Sequence, residues 1–293
     1  MKIVYMVTDL CNANCPHCYK KVTGALVKGF KQCEAEILSL MQNGHEIIVA
    51  GREVLCELEK IKLYSLVGQD HLLTNGILLA RNPGMLDELR KYGIKKINIS
   101  WHYGFTALAD QVSESVIIEA INNSRRAKFE VHINCVIGNT NYNLLSEMFD
   151  VMMNAGVNGV RLIKLIQVND EMIPFIITEH QRKRVIQDVV KLRNFYDKRV
   201  FLIRMHPNFE AIVTEKSLQA KRDCLLCQAG GEFIVIDTDN AIYPCPFLQE
   251  DRFCIGRFID GRIKLDTAIE NNGRSCILKS LYAVKHKQKN QGG

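Results

Sequence analysis

The sequence predicts an α/β protein: a partial, TIM-like (β/α)6 barrel open on one side, followed by a small C-terminal extension that contains a β-hairpin. Two observations carry this expectation. Six short runs rich in isoleucine and valine alternate with helical patterns over the first two-thirds of the chain, and such alternation implies parallel strands with right-handed crossovers. Past residue 205 the alternation stops, and five of the cysteines crowd into residues 224–276.

The strands fall at Lys2–Val7, Glu46–Ala50, His71–Leu73, Lys96–Trp101, Glu130–Ile137 and Gly159–Leu165, most of them bounded by turn residues. Across Phe30–Asn43, residues Cys33, Ile37 and Leu40 recur at helical spacing. Pro83–Tyr92 opens with proline at a first-turn position and stops before Gly93. Thr178–Asp197 reads as another helix and Val200–Met205 as strand-like, but no seventh and eighth unit of the same kind is evident. Further on, Glu232–Asp237 and Ala241–Tyr243 form two strands joined at Thr238-Asp239-Asn240, because Asp and Asn tolerate turn geometry. The expected organisation is a barrel over 1–205, an extension over 206–282 and a flexible basic tail over 283–293.

Hydrophobic residues make up 47% of the 293 and charged residues 24%, as in a soluble globular protein. No apolar run approaches the ~18–20 residues of a membrane span, and the first residues lack a signal-peptide pattern, so a cytoplasmic protein without a membrane partner is expected. The net charge of +6 sits partly in Arg182-Lys183-Arg184 and in Lys279, Lys285, Lys287 and Lys289; such runs read as solvated faces, and nucleic acid is not expected as a partner. Eleven cysteines, an odd number, argue against a disulfide framework. Cys33, Cys56 and Cys135 read as packing residues.

Strand alternation divides the barrel faces. Ile97, Ile99 and Trp101 share one face of their strand, opposed by Asn98 and Ser100; Val131, Ile133, Cys135 and Ile137 are opposed by His132, Asn134 and Val136. The apolar faces should meet the outer helices, leaving Asn98, Ser100, His132 and Asn134 to line the interior, where polar groups need a partner.

Cys11, Cys15 and Cys18 follow the first strand directly, where this architecture places its chemistry. Three soft thiolates suit iron–sulfur clusters and zinc. With three protein ligands, one iron of a cube stays open to a ligand from outside; zinc would need His17 or a distant cysteine as its fourth. The C-x3-C-x2-C spacing, the strand before it, the aromatic ring of His17 before the last cysteine and the β/α units behind it resemble the radical S-adenosylmethionine (SAM) superfamily. The resemblance spans roughly residues 1–205 as the core and 224–276 as the extension.

That resemblance implies a [4Fe–4S] cluster on Cys11, Cys15 and Cys18 with SAM at its open iron. The family's Gly-Gly-Glu, which holds the amino group of SAM, corresponds to Gly51-Arg52-Glu53, with arginine in place of the middle glycine. His17, Gly51, Glu53, Ser100, Asn134 and Arg161 are the implied SAM contacts, and Thr74-Asn75-Gly76 resembles a family turn after the third strand. The run from Cys227 to Cys245 resembles the start of the SPASM/twitch extension, with Asn240 where that motif has glycine; both accept positive φ. It implies a second, auxiliary [4Fe–4S] cluster on Cys224, Cys227, Cys245 and Cys254, with Cys276 competing for the fourth place, or a structural zinc at the same cysteines.

The implied reaction is reductive cleavage of SAM, with an electron from a donor such as flavodoxin or ferredoxin, to a 5′-deoxyadenosyl radical that abstracts hydrogen from the substrate. The expected substrate is a peptide, matured by crosslinking, thioether formation or epimerisation. A small molecule such as a sugar or nucleotide, oxidised or cyclised, is the alternative within this chemistry; a non-catalytic zinc- or cluster-binding module is the alternative outside it.

Overall fold

The computed structural model describes residues 1–15, 17–18, 20, 28–105, 112–167, 170–196, 200–209 and 229–266. The described strands up to residue 205 run parallel in two ladders. Lys2–Met6 (β1) pairs with Glu46–Ala50 (β2) from Lys2 opposite Glu46. His71–Thr74 (β3), Lys96–Ser100 (β4), Glu130–Ile137 (β5), Gly159–Lys164 (β6) and Leu202–Met205 (β7) follow in chain order in the second ladder. The segment after the long helix therefore adds a seventh parallel strand to the six expected.

Helices cover the outward faces as the spacing predicts. Phe30–Gln42 buries Cys33, Ile37 and Leu40. Glu179–Phe195 starts at a capping box, in which Thr178 and Gln181 satisfy each other's amides. The shorter Met85–Lys91 begins after Pro83 rather than on it. On β5, Val131, Ile133, Cys135 and Ile137 are fully buried, and each such aliphatic side chain contributes about 1.5–3 kcal/mol. Asn98, Ser100, His132 and Asn134, on the opposite faces, are half-buried.

The extension is not a separate layer. Phe233–Ile236 (β8) lies parallel to β1, with Lys2 opposite Phe233 and Tyr5 opposite Ile236. From β8 the sheet runs on through Ala241–Tyr243 (β9), Gly256–Ile259 (β10) and Arg262–Leu265 (β11), each antiparallel to the last. The expected hairpin is thus the first half of a four-stranded meander. Its turn places Asn240 at φ +66°, as a residue substituting for glycine must. Cys224, Cys227, Cys276 and the 283–293 tail lie outside the described residues. No described helix is long and apolar enough to cross a membrane.

Candidate active site

The loop leaving β1 carries Cys11, Cys15 and Cys18. Its first residues are zipped to the segment after β2: the amides of Arg52 and Glu53 donate to the carbonyls of Thr8 (3.1 Å) and Leu10 (3.0 Å). Gly51 permits this approach, because a Cβ there would lie 2.7 Å from Thr8 Cγ2 and 2.9 Å from Val54 Cγ2. Lys60 Nζ donates to Val7 O at 2.6 Å and pairs with Glu57, which accepts from the Thr8 hydroxyl. Beyond the cysteines, Lys20 is buried between Asp9 and Asp237. Thr238, next to Asp237, donates to Asp9 Oδ2 at 2.6 Å. The loop is thereby fastened to the β8–β9 turn.

All three thiols are half-buried. The Cys18 amide donates to Cys15 O at 3.0 Å. Burial pushes the Cys15 thiol up to about 11, and the neighbouring Cys18 and Cys11 add to it. Burial also raises Cys11, opposed by the Ala13 amide and by Arg52. Among the described residues no three His, Cys, Asp or Glu side chains converge at single-ion spacing; the three thiols share a loop and a field without meeting at one point. Soft donors that repel one another when ionised, beside the Arg52 guanidinium 3.7 Å from Cys18 Sγ, fit a cationic iron–sulfur body.

Glu53 is wholly buried. It accepts from the Thr74 hydroxyl (3.0 Å), the Asn75 amide (2.7 Å) and the Leu55 amide (3.3 Å). Burial raises its carboxyl to about 7 against those donors. Its carboxylate faces inward beneath the Thr74-Asn75-Gly76 turn, where Gly76 takes φ +83°, and so presents Asn75 to the loop. Asn75 Nδ2 donates to Asn12 Oδ1 at 2.7 Å and lies 3.8 Å from Cys11 Sγ.

A cleft beside Cys15 is lined by Asn75, Ser100, His102 and Glu114. His17 stands edge-on to His102 at 4.6 Å and to Phe105 at 5.6 Å. Burial lowers His17 to about 4 and, with His17 beside it, lowers His102 to about 3, so both are neutral near pH 7. His102 Nδ1 accepts from the Val136 amide at 3.1 Å, while His17 Nδ1 is buried without a partner.

Register aligns one polar row across four strands: Ser100 opposite Asn134, Asn134 opposite Arg161, and Arg161 opposite Arg204. Both arginines are exposed to solvent. Arg204 does not stand out in the sequence, because Val200–Met205 reads as strand-like without counting as one of the six barrel strands; its alternation with Ile203 and Met205 is the available signal. His102 and Asn75 also reach the cleft by tertiary placement. Cys56, read as a packing residue, is half-buried; burial, Glu53 and Cys11 raise its thiol to about 11.

The family model "Radical SAM superfamily" matches residues 5–152, just over half of the chain. The chain belongs to the radical SAM superfamily. No curated protein sequence matches it. Among solved structures it is similar to Streptococcus suis SuiB bound to precursor peptide SuiA, with 13% identity, a TM-score of 0.64, and coverage of 96% of this chain and 64% of that one. It is also similar to anSMEcpe with bound AdoMet and the Kp18Cys peptide, with 14% identity, a TM-score of 0.66, and coverage of 93% and 81%. Methylornithine synthase PylB follows with 13% identity, a TM-score of 0.51, and coverage of 68% and 63%. At these identities the likeness is one of fold.

In this radical SAM chain the second cysteine region is described at Cys245 and Cys254. Cys245 is buried after β9, in an apolar cluster with Met6, Val235, Tyr243, Leu248 and Phe253. Cys254 packs against the same cluster, and its thiol lies 3.2 Å from Gly256 O.

Proposed function

We propose that this protein is a peptide-modifying radical SAM enzyme, with Cys11, Cys15 and Cys18 holding a [4Fe–4S] cluster whose open iron takes SAM. The observation that carries it is the junction of three half-buried thiols after β1 with a polar row that has no partner of its own. Among the described residues, the side chains of half-buried Ser100 and Asn134 accept and donate no hydrogen bonds, and an unpaired polar group facing an interior calls for a ligand; Arg161 and Arg204 continue the row into solvent. Ser100, Asn134 and Arg161 are assigned to the polar parts of SAM. When bound, the cluster supplies the electron that cleaves SAM and releases the radical that abstracts hydrogen.

The chain's own residues position and protect. Glu53 holds the Asn75 turn against the loop from below rather than meeting the SAM ammonium itself. Gly51 lets the two loops close on each other. His102, neutral, walls the cleft without adding charge, with neutral His17 edge-on to it. A peptide substrate is supported by the second ladder, which ends at β7 without a further strand among the described residues, and by two fold relatives solved with peptides. For the extension we propose the auxiliary [4Fe–4S] cluster, with Cys245 and Cys254 among its ligands and Cys224, Cys227 and Cys276 as the others in question.

The test is anaerobic reconstitution and an assay for 5′-deoxyadenosine with candidate peptides. The wild-type protein should form it, and the triple Cys11→Ala, Cys15→Ala, Cys18→Ala variant should form none. Equal yields from the two would sink the assignment.

A further inference from the structure

Arg52 is the one departure from the Gly-Gly-Glu pattern, and its surroundings give it a purpose. The cations buried nearby each have a carboxylate: Lys20 has Asp9 and Asp237, Lys28 has Glu36, and Lys60 has Glu57. Half-buried Arg52 has none among the described residues. Its Nη1 reaches only the carbonyl of Asp9, at 3.4 Å, and its Nε is buried without a partner. Its Nη2 lies 3.7 Å from Cys18 Sγ. The backbone is pinned to the cysteine loop through the Arg52 and Glu53 amides, which holds the root of the Arg52 side chain beside that loop. A guanidinium removed from water and left without an anion is costly; thiolates bound to iron are the anions this site would supply.

We propose that Arg52 is the charge partner of the cluster's sulfur ligands and raises the reduction potential of the cluster bound at Cys11, Cys15 and Cys18. This rests on the cluster assignment above. Reduction adds one electron and changes no bond. The added negative charge is stabilised by a nearby cation and by N–H donation to a ligand sulfur, two of the factors that set cluster potentials. Glycine at this position offers neither. Arg52 acts through Cys18 and is a positioning residue for charge.

The test compares wild type, Arg52→Gln and Arg52→Lys, each reconstituted without oxygen and titrated with dithionite in the presence of mediators. The reduced cluster is followed by electron paramagnetic resonance, and the signal that shifts on adding SAM identifies the first cluster. At the wild-type midpoint, the ratio of reduced to oxidised cluster should fall about tenfold in Arg52→Gln, a shift of about 59 mV for one electron. Arg52→Lys, which keeps the charge and loses the planar fork, should fall between. A Gln variant that titrates at the wild-type midpoint overturns the inference, whatever its affinity for SAM. If the Gln variant assembles no cluster, the Lys variant is read the same way: a lowered midpoint supports the inference and an unchanged one overturns it. Wild-type protein that takes up zinc and no sulfide fails differently: it sinks the cluster assignment and this inference with it.

Discussion

The cysteines after β1 stand half-buried on a loop tied down by amides, lysines and carboxylates, whereas Cys245, after β9, is buried among Met6, Val235, Tyr243 and Leu248. One loop is held by polar contacts on one side and leaves the other side to a cleft. The other is closed over by apolar packing. A site that must admit a ligand is positioned from behind by directional bonds, because packing on all sides would fill the space the ligand needs. The auxiliary cluster proposed for the extension would only be held or hand on an electron, and enclosure suits that role. Lys20 joins the two regions, reaching from the first loop to Asp237 in the extension.

The widest separation between the regions should appear in metal content. With Cys11, Cys15 and Cys18 changed to alanine, the protein should lose about four irons and keep about four irons and four sulfides on the extension. One zinc and no residual sulfide in that variant would make the second region structural. The next effect concerns the link. Lys20→Met leaves two carboxylates facing each other in a buried site and should cost about 3–5 kcal/mol in chemical denaturation. Lys2→Met, which breaks only the exposed pair with Glu46, should cost about 0–1 kcal/mol. Similar losses from both would mean that the two regions stand independently.

A more local effect concerns Glu53. Its carboxyl is raised by burial from 4.5 to about 7, so folding favours the protonated form. That contribution is whole below about pH 4.5 and is lost as pH rises through about 7. Glu53→Gln cannot titrate. Between pH 5 and pH 8 the stability difference should therefore move in favour of the Gln variant, by roughly 3 kcal/mol. Parallel pH profiles would show that Glu53 is not held away from water.

Local pattern made much of this legible. Glu46–Ala50 and Glu130–Ile137 form over the spans expected, since β-branched runs end there at turn residues. The buried residues of the first helix are the three that the spacing picks out. The three-cysteine loop was equally plain, because its thiols are neighbours in sequence. What escaped depends on contacts between distant segments. Val200–Met205 looks like an isolated strand until β6 accepts it. Arg52 looks like a lost glycine until Cys18 is seen beside it. Glu53 is expected from the sequence at the amino group of SAM, and its bonds from Thr74 and Asn75 are visible only in the fold. The strands β10 and β11 carry Arg257, Arg262 and Lys264, too polar to stand out from a loop.

The pairing of β1 with β8 has a consequence for how the protein is made. β1 ends at Met6, yet one of its two neighbours begins only at Phe233. At about 5–20 residues per second the ribosome needs roughly ten to fifty seconds to supply it. Through that interval one edge of β1 has no strand beside it, and Lys20 lacks Asp237. Contacts so distant in sequence also close slowly. The cysteine loop therefore reaches its final support only after the segment from Phe233 to Asp237 has been made.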